Sequence, residues 1–399
     1  MAPSRWRAAL ALVAGLALGA AVPPPPDGRV LDELLVPRGA AADLPGTTYR
    51  EFTTTLPDPR GGPLRGDVVE VDLASPAVRV ELLTPPVVPA VATVPELAAR
   101  AGAIAAVNGG FFDEGATGAP VAAEIVDGAA RTSGVPAGRR PAPPGEGADT
   151  VVGLDDGGRA HLARARFRGA LVAADRTVPL DGLDGYAVPV DGVGVFDPSW
   201  GDLARGPATC GSDTDPDVPC SADTLEVRVA HGQVVAVGPP GAGRLPGGTV
   251  ALVGRERGAA ALRGVAVGTR VTVSTGFEAV GSPPLRVAVG ALPLARGGRA
   301  LPGLQDTERA PRTAVGLAED GRRLWLVTVD GRQDASTGVT LAELARLLTD
   351  LGAPVAASLD GGGSTTMVRR GRDEALRIVN DPAAAPVRAV TDALAVVPR

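Results

Sequence analysis

Apolar residues recur at every second position along most of this chain. GDVVEVDL (Gly66–Leu73) alternates and AVRVELL (Ala77–Leu83) follows one turn later, which predicts a β-hairpin. A second hairpin is predicted in RTAVGLAEDGRRLWLVTVDG, with its turn at Asp320-Gly321. Between Arg159 and Val273, strand follows strand with Asp-Gly, His-Gly and Pro-Gly-Gly turns, an all-β pattern rather than a βαβ repeat. Helical spacing is rare. Thr93–Gly102 predicts a short helix, with Thr93 as N-cap and Pro95 in the first turn. Thr340–Gly352 predicts the clearest one. Its residues Leu341, Leu344, Ala345, Leu347 and Leu348 share a face, Thr340 and Glu343 form a capping box, and Gly352 ends it. Two strands expected to be buried, Ala103–Asn108 and Val355–Asp360, run straight into glycine-rich turns, NGGFFD and DGGGSTT. No internal repeat is visible. The pattern predicts an α+β fold: one β-rich catalytic domain over residues 47–399, with mixed sheets and a few short helices.

The start of the chain reads differently. Arg5 and Arg7 precede an apolar run from Ala8 to Leu18 and a small-residue stretch, Gly19-Ala20-Ala21, the layout of a signal peptide over residues 1–21. Residues 22–46, rich in Pro and Ala, are expected to be a linker. The apolar run is short for a membrane span, so a secreted, extracytoplasmic protein is expected, with no stable span after cleavage. On this reading the signal is either cut or kept as an anchor. Export implies oxidising surroundings, in which Cys210 and Cys220, the only cysteines, are expected to form one small disulfide loop.

Composition narrows the chemistry. The 399 residues include 54 Gly and 38 Pro, yet 45% are hydrophobic, which favours a globular body with many tight turns over disorder. All the basic residues are arginine. The missing lysine excludes P-loop, Schiff-base and kinase chemistry. Two histidines and two cysteines offer no metal-ligand spacing, so no metal is expected, although the sequence leaves a hard cation such as Ca²⁺ near the aspartates open. A net charge of −6 and no arginine run longer than two argue against nucleic acid as a partner. Any reaction must therefore run on carboxylates, arginines, amides and hydroxyls.

Five ordered motifs give that chemistry a place. NGGFFD (Asn108–Asp113), PRTAVG (Pro311–Gly316), VDGR (Val329–Arg332), LDGGGSTTM (Leu359–Met367) and VRAVTDAL (Val387–Leu394) resemble the phosphodiester glycosidase family from about Val68 to Val397. The resemblance implies a hydrolase that cleaves a sugar-1-phosphodiester at the anomeric carbon and releases a phosphomonoester, without a cofactor, on a carbohydrate or cell-envelope glycopolymer. Asp184 stands where the family often has Asn, and CGSDTDPDVPC is a local insertion.

The residues support roles of their own. Asp360, at the end of a buried strand, is the expected catalytic carboxylate, as nucleophile or as base for water. Asp330 and Arg312 are the other catalytic candidates, with Glu278 a weaker acid and Asp334 flanking the VDGR turn. Arg312 is a planar donor fork suited to phosphate. Gly361, Gly362 and Gly363 predict a nest of free backbone N–H groups, with Ser364 and Thr365 adding hydroxyls. Asn108, Gly109, Gly110 and Phe111 are expected to line the substrate, Phe111 or Phe112 as a wall for a sugar ring, and Arg388 is a second phosphate ligand. Two other classes of function are compatible with the pattern: a non-catalytic cell-envelope polysaccharide-binding protein, and an α-glycosidase acting on an unphosphorylated glycan.

Overall fold

The computed structural model describes residues 44–56 and 61–399, together with the backbone of the two-residue strand Leu35–Val36. The expected signal peptide lies outside the described residues, as does nearly all of the expected linker.

Two antiparallel sheets face each other and carry the centre of the fold. In the first, the strands run in the order Leu35–Val36, Thr47–Thr55, Pro63–Asp72, Arg323–Val329, Arg312–Leu317, Val355–Ser358, Leu292–Arg296 and Arg299–Ala300. The second runs Leu376–Ile378, Met367–Arg370, Ala105–Asn108, Ala393–Pro398 and Val78–Leu83. Alternation along these strands sends Val69, Val71, Val315, Leu317, Leu324 and Leu326 from the first sheet against Val80, Leu82, Val107, Leu394 and Val396 from the second. Each sheet then covers its other face with one helix. Leu341–Asp350 buries Leu344, Ala345, Leu347 and Leu348 against the first sheet, and Val94–Arg100 buries Val94, Leu97 and Ala98 against the second. Both helices begin with the predicted capping boxes, Thr340 with Glu343 and Thr93 with Glu96. Gly352 then turns the chain at φ +90°, a conformation that only glycine takes without strain.

The middle of the chain builds two further sheets, as its turn spacing predicted. One pairs the long strand Ala160–Val172 with Thr272–Val280, Thr177–Leu180 and Thr150–Asp155. The other is formed by Gly182–Leu183, Val193–Phe196, Thr249–Arg255, Thr224–Ala230 and Gln233–Gly238. The molecule is thus β-rich, with several sheets and few short helices. The expected mixed character is confined to one place: among the described residues the parallel pairing is that of Gly182–Leu183 with Val193–Phe196, and the other strand pairs are antiparallel. Cys210 and Cys220 are joined in a disulfide as expected, and Arg139 braces that loop by donating to the carbonyls of Cys210 and Ser212. No helix among the described residues is long and apolar enough to cross a membrane.

Candidate active site

Both glycine-rich turns emerge at the same end of the paired sheets. Register explains why. Val107 pairs with Met367 and Asn108 with Ala393, so the segment after Asn108 meets the segments before Met367 and before Ala393. In the facing sheet Ser358 pairs with Ala314, which brings Leu359-Asp360 beside Pro311-Arg312. Four stretches distant in sequence therefore converge: 108–111, 311–313, 360–366 and 391–392.

Asn108 locks them together. It is fully buried; its Nδ2 donates to Asp360 O at 2.7 Å, while its Oδ1 accepts from Thr313 Oγ1 at 2.6 Å and Thr366 N at 3.1 Å. A neutral donor–acceptor is what this position requires, since a carboxylate has no proton to give Asp360 O. The hydrogen bonds of Asn108 all end on the protein, so this side chain joins the two sheets. Gly109 continues the clamp: Asp360 N donates to Gly109 O at 2.9 Å. A side chain at Gly109 would collide with the Asp392 carboxylate, whose Oδ1 accepts from Gly110 N at 2.9 Å. Phe111 is half-buried and packs between the cluster under Leu341–Asp350 and Val121, Val135 and Ala187; Phe112 packs beside the other helix.

The triple glycine works otherwise than expected. Its N–H groups are largely consumed internally. Gly361 N donates to Asp360 Oδ1, Gly362 N to Pro311 O, Ser364 N to Gly361 O and Thr365 N to Gly362 O, because Gly362–Ser364 closes as a 3₁₀ turn. Among the described residues Gly363 N–H is the one amide of this turn left without an acceptor. What the glycines provide instead is room for cations. A Cβ on Gly361 would stand 3.5 Å from Arg312 Cδ, one on Gly362 3.5 Å from Arg332 Nη1, and one on Gly363 2.5 Å from Arg388 Nη2. Three consecutive residues thus each rest on a different guanidinium. Arg312 is aimed by donating to the carbonyls of Val339 and Glu308 at 3.2 Å, and burial holds its pKa below the usual guanidinium value. Arg388 forks onto Glu114, both contacts at 2.9 Å. Arg332 has φ +63°, an uncommon conformation for a residue with a Cβ, which turns it toward Gly362.

Asp360 sits among these cations. Burial raises its pKa to about 6, opposed by the neighbouring Ser364 hydroxyl, the Gly361 N–H and the charge of Arg388. Several buried polar atoms around it lack protein partners: the hydroxyls of Thr365, Thr366 and Thr391, Asp392 Oδ2 and Glu124 Oε1. Such atoms are rare in folded proteins and need a reason. For the last two the reason is visible. Glu124 and Asp392, both about 1% exposed, lie within hydrogen-bonding reach of each other, and a single shared proton satisfies both orphaned oxygens. Burial pushes both pKa values up, and Arg131 Nε neutralises the other Glu124 oxygen at 3.0 Å.

Other expected residues fall elsewhere. Asp330 lines a separate cavity of about 260 Å³ with Arg65, Asp67 and Asp381, which neither Asp360 nor the three arginines line. Burial lifts Asp330 to about 6 and Asp67 to about 7. Asp330 connects to the glycine turn through Asn380, whose Nδ2 donates to Asp330 Oδ1 and to Thr365 O while its Oδ1 accepts from Met367 N. Glu278 is exposed and paired with Arg168 on the middle sheet, and Asp334 is exposed. Asp184 is buried at φ +43°, accepting from Asp197 N and Ser199 Oγ to fix its own loop. Arg332, Asp392 and Glu124 were missed by the sequence reading. The first two lie inside quoted motifs; Glu124 carries no motif and only the fold exposes it. No His, Cys, Asp and Glu grouping suited to a metal occurs among the described residues.

Comparison with known proteins gives this arrangement a class. Residues 223–397 match the model of the phosphodiester glycosidase family, so the resemblance carried by the motifs is shown over that span. The fold recurs in a hypothetical protein from Synechocystis, at 22% identity and TM-score 0.69, covering 89% of this chain and 62% of that one. This chain therefore spans less than two thirds of that relative's length. It recurs also in a protein from Burkholderia pseudomallei K96243 described as exported, at 25% identity and TM-score 0.65, covering 84% and 74%. The catalytic domain of zebrafish N-acetylglucosamine-1-phosphodiester α-N-acetylglucosaminidase, auto-inhibited by its pro-peptide, aligns at 16% identity and TM-score 0.47 over 90% and 85%. No curated protein sequence matches the chain.

Proposed function

We propose that this protein is an extracytoplasmic hydrolase that cleaves a sugar-1-phosphodiester between the anomeric carbon and the phosphate oxygen. The observation that carries this reading is the stacking of Gly361, Gly362 and Gly363 on Arg312, Arg332 and Arg388 beside Asp360. Three guanidiniums gathered on the turn that follows this carboxylate suit a substrate that brings its own negative charge. The leaving group is then a phosphomonoester whose second pKa is about 6. It departs as an anion, and fixed cations stabilise it without a strong general acid. An ordinary glycoside expels an alcohol and needs such an acid; the cationic surroundings of Asp360 favour the phosphodiester.

Asp360 acts at the anomeric carbon, as nucleophile or as base for water. Its pKa of about 6 leaves it ionised at neutral pH, and Asn108 and Gly109 hold its backbone at both N–H and C=O. Asp330 is a positioning residue in this scheme, steadying residues 365–367 through Asn380. Export is supported by the disulfide and by the likeness to the Burkholderia protein described as exported. The domain comprises residues 47–399, preceded by a linker and a signal peptide.

Hydrolysis of a hexosyl-1-phosphodiester in ¹⁸O-water tests the reaction. The label is expected on the sugar, with the phosphomonoester unlabelled. Label in the phosphate means attack at phosphorus and overturns the glycosidase reading. Turnover of the matching plain glycoside at an equal rate overturns the role given to the arginines.

A further inference from the structure

Away from Asp360, two cavities of about 360 and 370 Å³ share one basic side chain, Arg140. Its Nε donates to Val135 O, Nη2 to Ser133 O at 2.8 Å and Nη1 to Ala148 O at 3.5 Å. Three of the five guanidinium N–H groups are thereby engaged by neutral carbonyls. Among the described residues no carboxylate forms an ion pair with it, and burial drives its pKa down to about 10. A half-buried cation on which the Asp149 carboxylate acts without forming an ion pair is incompletely compensated. A structural arginine normally makes up that deficit with an acid, as Arg205 does with buried Glu226 at 2.8 Å.

The larger cavity adds more positive charge. On the strand Ala160–Val172, Arg164, Arg166 and Arg168 recur at every second residue and line it. Arg164 and Arg166 both turn to the single carboxylate of Asp149, at 2.5 and 3.6 Å, and Arg168 pairs with Glu278. Asp181, the remaining acid of the lining, has its pKa pushed up by burial. Four guanidiniums therefore stand against the carboxylates of Asp149 and Glu278, burial favouring the neutral form of Asp181. Phe167 and Phe277, in edge contact with centroids 5.9 Å apart, give the same cavity an apolar wall. Backbone hydrogen bonds tie the wall of the smaller cavity to the NGGFFD turn: Val135 N–H donates to Val121 O, and Val121 N–H donates to Phe111 O.

We propose that Arg140, supported by Arg166, is a second anion subsite, which seats another phosphate of a phosphodiester-linked glycan whose scissile unit lies at Asp360. This rests on the proposed function for the identity of the polymer; the anion preference of Arg140 rests on its own geometry. The subsite makes the protein selective for chains over single units.

Calorimetric titration of the Asp360→Asn protein tests it, since binding is then read without turnover. The probes are a methyl hexosyl-1-phosphodiester with one phosphate and oligomers of two to four hexosyl-1-phosphate units. The longest oligomer is expected to bind on the order of tenfold tighter than the single unit, as one added charge-assisted pair allows. Adding Arg140→Gln should remove that advantage and leave affinity for the single unit unchanged. Arg166→Gln, at a half-buried position, should remove part of it and decides the matter if Arg140→Gln does not fold. An oligomer no tighter than the single unit, or an advantage that survives Arg140→Gln or, failing its folding, Arg166→Gln, overturns the proposal. An Arg140-dependent advantage in a protein whose wild type cleaves none of these compounds upholds the subsite and removes the catalytic reading alone.

Discussion

Asp360 and Asp330 make an instructive pair. Each follows a buried strand of the same sheet, each precedes glycine, and burial lifts each to a pKa of about 6. Their surroundings then diverge. Asp360 feels the charges of Arg312 and Arg388, and Arg332 stands against the same glycine turn, among threonine hydroxyls without partners. Asp330 shares its cavity with Asp67 and Asp381, and its carboxylate is already occupied by Asp381 N at 3.0 Å and by the Asn380 amide. A raised pKa alone thus fails to separate a reactive carboxylate from a structural one. The sign of the neighbouring charge and the open valence of the neighbouring groups make the distinction.

The largest expected effect tests that distinction directly. Asp360→Asn should lower kcat on a glycosyl phosphodiester by on the order of 10³ or more, since a charge acting in the transition state is lost while the shape remains. Asp330→Asn should cost less than about tenfold and lower thermal stability instead. Steady-state kinetics on both variants, with melting curves, reverses the assignment if the two losses change places.

A smaller effect is expected from the glycine turn. In Gly363→Ala the new methyl group would lie 2.5 Å from Arg388 Nη2, and the guanidinium, as the flexible partner, must move. Displacing a positioned cation by about 1 Å should lower kcat/KM by roughly 10- to 100-fold. Gly352→Ala, where a methyl group meets nothing within 4 Å, should leave kinetics unchanged and lower stability through its positive φ alone. Equal kinetic losses in the two variants would falsify the link between Gly363 and Arg388.

The smallest effect concerns pH, and it runs in opposite directions for activity and stability. Asp360, Asp330 and Asp67 have folded-state pKa values of about 6, 6 and 7, above the unfolded value of about 3.9. Groups raised in this way contribute stability that is fully present below the unfolded value and lost as pH rises through the folded one. The melting temperature should therefore fall by a few degrees between pH 5 and pH 8, and Asp67→Asn should flatten the slope. Activity should instead rise through about pH 6 as Asp360 ionises. Differential scanning calorimetry and a kcat/KM profile over the same buffers check both limbs; a melting temperature that climbs with pH contradicts the burial of these acids.

Local patterns in the sequence were sufficient for the elements that depend on near neighbours. Alternation gave the hairpin of Arg312–Leu317 with Arg323–Val329 and the β-rich middle, and the boxes at Thr93 and Thr340 marked both helix starts, because each rests on interactions spanning a few residues. The hairpin expected at Gly66–Leu83 does not form: Pro63–Asp72 pairs with Thr47–Thr55 and Arg323–Val329, while Val78–Leu83 crosses to the facing sheet and pairs with Ala393–Pro398. Asn108, one of the two asparagines in the chain, stands before two glycines at the end of an apolar strand, a local pattern that marked it as a position needing both a donor and an acceptor. The purpose of that need was decided only by the fold, where Asn108 joins residues 205 and 252 positions away. Tertiary structure also reversed the reading of the triple glycine, from a nest of free amides to a surface for three arginines, since the 3₁₀ turn engages the amides and long-range strand pairing delivers the guanidiniums. It joined Glu124 to Asp392 across 268 residues, each unremarkable in the linear chain. Sequence therefore determined which groups were present and how each segment turns. Which carboxylate meets cations and which meets other acids depends on register between distant strands, a cooperative property of the packed sheets that no single segment encodes.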